Sequence, residues 1–272
     1  MSTLPGGPHS QDENLVAVAQ RPSATAYTHC LLKLVTGILL VFWPFVSAMG
    51  AEVRDSTRAA RCFNLPERIV VFGDSQAQGL ALALSRLLRG SKGCKVFNRA
   101  KPNTGLSQVS TFDWPAAIGG FSNREHATVA IMMFGANDWM PLRDPSGRWT
   151  KFGSEKWEEY YRERATTICK TAIARGLKVI WVGEPISLRP SYSDAMKFLN
   201  KIFEEAAAST GSVYLDTWSV ASADTASARG LYASDGIHFK PVGYRLIASR
   251  VVPLLQSQND EGEQNGQPSN AH

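Results

Sequence analysis

Between Arg68 and Leu255 the chain alternates short apolar runs with longer amphipathic segments, and this alternation restricts the fold more than any other feature. The runs are Arg68–Phe72 (RIVVF), Lys95–Asn98, Thr128–Phe134 (TVAIMMF), Lys178–Val182 (KVIWV) and Ser212–Leu215. The segments between and after them predict helices over Ala77–Leu88, Ser154–Arg175, Asp194–Ser209 and Pro241–Leu255. In Ala77–Leu88 the apolar residues recur at helical spacing. Ser154 is a candidate N-cap for the next helix, with Gly176 as its C-terminal stop. Strands apolar at nearly every position must be covered on both faces, which in a strand–helix alternation means a parallel sheet between two helical layers. The expected fold class is therefore α/β, a three-layer α/β/α sandwich around a central five-stranded parallel sheet. Ligands bind such sheets beyond the carboxyl ends of the strands, so chemistry is sought just after each run.

The chain has 272 residues, 44% hydrophobic and 19% charged, which excludes wholesale disorder and a polytopic membrane protein. A domain of this size needs no disulfide or metal staple. Lys plus Arg exceed Asp plus Glu by 29 − 24 = 5, with no Lys/Arg-rich run. That spread-out excess is not the basic stripe of a nucleic-acid binder, and no nucleic-acid partner is expected.

Leu31 to Val46 (LLKLVTGILLVFWPFV) is followed by small residues, Ser47-Ala48-Met49-Gly50-Ala51. This fits an export signal cut after Gly50; the alternative is an uncleaved membrane anchor over residues 31–51. Both place the main domain outside the cytoplasmic membrane, in the periplasm or beyond. The expected organisation is a leader over 1–50, a main folded domain over 62–255, and a solvated, disordered tail over 256–272. Cys62 and Cys94 each precede a strand-like run and are candidates for a bridge, whereas Cys169 lies in a helical pattern as a small hydrophobe. Neither the cysteines nor the five histidines cluster at metal-ligand spacing, so no metal site is expected, and no cofactor.

Three motifs lie where the sheet model places chemistry. Gly73-Asp74-Ser75-Gln76 follows the first run and opens a helix, a position that exposes a hydroxyl above the sheet. Read alone, it is a turn with Ser75 as an N-cap. Gly135-Ala136-Asn137-Asp138-Trp139 follows the third run, where Asn137 can donate to a developing oxyanion or simply shape a loop. Asp235-Gly236-Ile237-His238-Phe239 precedes the last helix, and its carboxylate and imidazole are spaced to hydrogen-bond with each other. Together they comprise a nucleophile, an oxyanion donor, and a base with its orienting acid.

This set resembles the SGNH (GDSL-type) hydrolases, named for a Ser, a Gly, an Asn and a His in four blocks. The Ser, Asn and His blocks are the motifs just given, and Gly105, in Asn103-Thr104-Gly105-Leu106-Ser107, is the candidate for the Gly block. The resemblance covers about Arg68 to Leu255. It is strongest to a bacterial branch long labelled a domain of unknown function, through Phe112-Asp113-Trp114-Pro115, Trp181-Val182-Gly183-Glu184-Pro185 and Asp235–Phe239. Gln76 stands where the name motif has Leu, a change expected to make the mouth of the site more polar.

The resemblance implies a flavodoxin-like SGNH hydrolase fold and serine acyl transfer. Ser75 would be the nucleophile, His238 the base and Asp235 its orienting acid. The amides of Ser75 and Gly105 and the Asn137 side chain would form the oxyanion hole. Asp74 and Asp138 are read as braces of their turns, and Glu184 as a residue that either reaches the cleft or supports the fold. Trp114 and Trp181 are read as packing residues, and Trp139 is placed to stack on a sugar ring. The expected substrate is an O-acyl ester, O-acetyl above all, on envelope or extracellular carbohydrate. An O-acyltransferase on a periplasmic glycan would use the same residues, and a non-catalytic envelope carbohydrate-binding module is the alternative from a different class.

Overall fold

The computed structural model describes residues 68–91, 93–220 and 226–264. Five strands form one parallel sheet: β1 (Arg68–Gly73), β2 (Lys95–Asn98), β3 (Val129–Met133), β6 (Lys178–Val182) and β7 (Val213–Leu215), in the order β2-β1-β3-β6-β7. The register pairs Val70 with both Phe97 and Ala130, and Ile131 with Ile180. β4 (Leu142–Arg143) and β5 (Trp149–Thr150) make a small separate hairpin. The helices are α1 (Ser75–Leu87), α2 (Trp114–Gly119), α3 (Glu155–Ala174), α4 (Pro190–Thr210), the short α5 (Ala226–Arg229) and α6 (Pro241–Gln264). This is the expected three-layer α/β architecture.

Alternate residues of each strand feed opposite cores, the consequence of the two-residue pleat. Val70, Phe72, Ala130, Met132, Val179 and Trp181 pack with α2, α3 and α4 on one face. Ile69, Val71, Val129, Ile131, Met133, Ile180 and Val182 pack with α1 and α6 on the other. Trp114 and Trp181 are core residues, as read. Cys169 is also fully buried, and burial pushes its thiol up to about 11. Cys62 lies outside the described residues, as does the leader, so the expected bridge and signal are not described. No helix among the described residues is long and apolar enough to cross a membrane.

Several helix boundaries differ from the sequence reading. α1 begins at Ser75, because the Asp74 side chain accepts from the Gln76 amide at 2.9 Å and caps the helix; Ser75 is not the cap. Ser154 does cap α3, and Gly176 ends it with φ +77°. α4 starts at Pro190, where the ring suits a first helical position. α6 continues past Leu255 to Gln264, through the first part of the stretch read as a tail. Gln256 to Gln264 carries no apolar periodicity, so no sequence signal marks this continuation of a helix already nucleated.

The chain moves from β1 to β2 on one side and then to β3 on the other. That reversal opens a crevice at the carboxyl ends of β1 and β3. The first two motifs emerge there.

Candidate active site

The turns after β1 and β3 are joined by Asp74. Its Oδ1 accepts from the Gln76 amide, and its Oδ2 accepts from the Ala136 amide at 3.0 Å. The Asp74 amide in turn donates to the Met133 carbonyl. Gly73 holds φ +142°, and a Cβ there would overlap that same carbonyl, so the two turns lie this close only with glycine in place. Asp74 is wholly buried. Burial, with a further push from Asp138, raises its carboxyl to about 7 despite the amide hydrogen bonds.

Ser75, at the first position of α1, leaves its amide N–H where the helix supplies no acceptor. Its Oγ lies 2.8 Å from His238 Nε2. His238 Nδ1 lies 2.6 Å from Asp235 Oδ2, while Asp235 Oδ1 accepts from the amides of Ile237 and His238. Burial raises the Asp235 carboxyl, but the hydrogen bonds from the His238 ring and the two amides outweigh it and hold Asp235 below its ordinary value. The loop is held from outside by Arg189, whose Nε donates to the Asp235 carbonyl at 2.7 Å, and by the Leu188 amide donating to the Gly236 carbonyl.

The Gly105 loop meets the Asn137 turn. Asn137 Nδ2 donates to the Thr104 carbonyl at 2.9 Å, which leaves one amide hydrogen uncommitted by that bond. The Ser107 amide donates to Asp138 Oδ1 at 2.7 Å, and Tyr161 donates to Asp138 Oδ2 at 2.7 Å. A Cβ on Gly105 would overlap the Asp138 carboxylate, so the loop backbone rests directly on it. Trp114 supports the loop through Nε1 to the Thr104 hydroxyl, and Arg164 through the Leu106 and Ser107 carbonyls. Asp138 is raised by burial against these hydrogen bonds.

The structure thus brings together Ser75, Asp235 and His238 by direct contact, and ties Asn137 to the Gly105 loop beside the Ser75 turn. Trp139 is 47% exposed, edge-on to Tyr192 with ring centroids 6.2 Å apart. Glu184 does not reach the cleft as an exposed group. It is fully buried, neither carboxyl oxygen has a hydrogen-bond partner, and burial together with Asp74 and Asp138 lifts it well above its ordinary value.

One expectation is overturned. Gln76 does not make the mouth more polar: it is wholly buried. Its Nε2 donates to the Ile237 carbonyl at 3.2 Å, and its Oε1 accepts from Tyr244 at 2.8 Å. The amide side chain therefore ties the Ser75 turn to the His238 loop and to α6. Gln76 and Arg189 are the contributors whose contacts the sequence reading missed. Their partners are two distant backbone carbonyls and the Tyr244 hydroxyl, which no spacing rule marks.

Residues 68–254 match the model of the family described as "Protein of unknown function (DUF459)". The chain belongs to that family. No curated protein sequence matches it. Among solved structures, a lipase/acylhydrolase from Enterococcus faecalis is 21% identical with a TM-score of 0.54, covering 71% of this chain and 96% of its own. A GDSL-like lipase from Bacteroides thetaiotaomicron is 13% identical at 0.51, covering 77% and 97%. A catalytic mutant of an acetylxylan esterase from Geobacillus stearothermophilus is 14% identical at 0.50, covering 70% and 94%. At these identities the likeness establishes the fold: this DUF459 chain shares the α/β fold of the GDSL-type hydrolases.

Proposed function

We propose that the chain is a serine carboxylic-ester hydrolase of the SGNH type, exported from the cytoplasm, that removes O-acyl groups, O-acetyl above all, from envelope or extracellular carbohydrate. The observation that carries the proposal is the unbroken line from Ser75 Oγ through His238 to Asp235, with separations of 2.8 and 2.6 Å. Those are hydrogen-bond distances between a nucleophile, a base and an acid drawn from two loops.

In the proposed reaction Ser75 Oγ attacks the ester carbonyl carbon while its proton passes to His238 Nε2. The oxyanion so formed accepts from the amides of Ser75 and Gly105 and from the remaining Asn137 hydrogen, each such donor worth about 3 kcal/mol of barrier. Collapse expels the alcohol, which takes the proton from Nε2 and leaves an acyl group on Ser75. Water then gives a proton to Nε2 and attacks the acyl carbon, and collapse of the second intermediate releases the acid and returns the proton to Ser75. Asp235 stays ionised throughout and holds the Nδ1 proton, the role favoured by its lowered pKa.

The carbohydrate substrate is supported by exposed Trp139 near Asn137, by the apolar leader read as an export segment, and by the acetylxylan esterase among the structures of the same fold. Purified protein is to be assayed on acetyl, butyryl and longer p-nitrophenyl esters alongside acetylated glycans. Release of free acid without an added acceptor is expected, with the acetyl esters fastest. Acyl transfer only in the presence of a sugar acceptor would overturn hydrolysis. Ser75→Ala is expected to fold normally, to lose fluorophosphonate labelling and to lose turnover; wild-type turnover in that variant sinks the assignment. Trp139→Ala is expected to raise KM about tenfold on acetylated glycan and leave p-nitrophenyl acetate unchanged, corresponding to loss of about 1.4 kcal/mol of stacking.

A further inference from the structure

The net positive charge is spread out along the sequence, but the fold gathers part of it on one face. No Asp or Glu stands between Ser75 and Phe112, or between Gly236 and Asn259. These stretches contain α1 and the start of α6, which pack side by side on the same face of the sheet. The carboxylates of the helical layers sit mainly on the opposite side, in α3 (Glu155, Glu158, Glu159, Glu163) and α4 (Asp194, Glu204, Glu205).

On α1, Leu82 and Arg86 are spaced one helical turn apart, and both are exposed, as is Arg89 in the turn just after the helix. On α6, Val242 and Arg245 do the same, with exposed Lys240 just before the helix. None of Arg86, Arg89, Lys240 and Arg245 enters an ion pair among the described residues. Leu82 and Val242 are 52% and 44% exposed, large apolar side chains left in water among those cations. Between the helices runs a groove of about 410 Å³, floored by Ala83, Leu87, Phe239 and Tyr244, with one arginine from each helix, Arg86 and Arg245, in its lining.

We propose that this face docks on the surface of an anionic phospholipid bilayer, with Arg86, Arg89, Lys240 and Arg245 on headgroup phosphates and Leu82 and Val242 entering the interface. Cations without carboxylate partners attract any polyanion. The exposed apolar pair and the apolar groove select a bilayer, since Leu and Val lack the flat ring that stacks on a sugar, whereas interfacial binding combines both terms. The groove lies beside the loop that carries His238, because Phe239 lines it directly. Docking would therefore hold the proposed ester site close to the membrane surface, whether the leader is cut after Gly50 or, in the alternative reading, stays as an anchor.

The test uses the full chain on vesicles of phosphatidylcholine with and without 30% phosphatidylglycerol. The apolar leader contributes to both, so the quantity read is the ratio of the two partition coefficients. That ratio is expected to fall roughly 30-fold in the double variant Arg86→Gln/Arg245→Gln, and to fall with added salt in the wild type. Hydrolysis of p-nitrophenyl acetate by the double variant serves as the check that it has folded. Phenylglyoxal modification read by mass spectrometry gives a second measure that needs no variant. Arg86 and Arg245 are expected to be protected by the anionic vesicles, and Arg148, on the far hairpin, to be unprotected. An unchanged ratio in the folded variant overturns the proposal. So does equal modification of Arg86 and Arg245 on both vesicles, or equal protection by soluble polygalacturonate, which would assign the face to an anionic polymer instead.

Discussion

At the residue scale, the contact between Ser75 and His238 is braced by Gln76, the side chain next to the nucleophile, through the Ile237 carbonyl. Ser75, Asn137, Asp235 and His238 could be picked out because each follows a strand-like run or precedes the last helix, where an α/β sheet collects its functional groups. Gln76 could not, because its partners are a carbonyl 161 residues away and a phenol 168 residues away. If that amide positions His238 through Ile237, Gln76→Leu should lower kcat about tenfold with KM within twofold, the effect of about 1.4 kcal/mol of lost hydrogen bonding. Steady-state kinetics and the rate of fluorophosphonate labelling should fall together. An unchanged kcat in folded Gln76→Leu would reduce the tie to a packing contact.

At the scale of elements, periodicity located the long helices and all five strands of the sheet but not the short pieces. Six-residue α2 escaped because it is under two turns long, too short for a period to register, although Asp113 caps it and Pro115 suits its first turn. Packing between elements left a different kind of mark. Gly79 lies in α1 where α6 crosses, and a Cβ there would overlap the Tyr244 ring. Gly79→Ala should therefore destabilise the domain by about 1–3 kcal/mol in urea denaturation, despite the roughly 1 kcal/mol that alanine gains over glycine in a helix. Gly90→Ala, whose Cβ would meet nothing within 4 Å, is the matched control and should change stability little. Equal effects at the two positions would mean that α1 and α6 are free to separate.

Across the whole molecule, three buried carboxyls under the site, Asp74, Asp138 and Glu184, all have raised pKa values. Glu184 ionises near its ordinary 4.5 in the unfolded chain, but only well above that in the folded one. Between those values the folded state holds one proton more, so stability falls as pH rises, by about 1.4 kcal/mol per pH unit for each such group. Glu184→Gln removes one titrating group and should flatten the decline measured by urea denaturation between pH 5 and pH 9. An identical slope in the variant would show that Glu184 is not buried as described.

Local pattern was enough to specify the layers of the sandwich and the strand ends that carry chemistry. Burial follows the two-residue and 3.6-residue periods of the backbone, and those periods are written in neighbouring residues. It was not enough to specify what lies beside what. Ser75 and His238, separated by 163 positions, meet because the strand order β2-β1-β3-β6-β7 brings the start of α1 and the loop before α6 to one end of the sheet. The same crossovers turn a diffuse excess of Lys and Arg into a cationic face over α1 and the start of α6. Proximity of this kind depends on how connections cross the sheet, a property of the closed chain that no window of sequence contains.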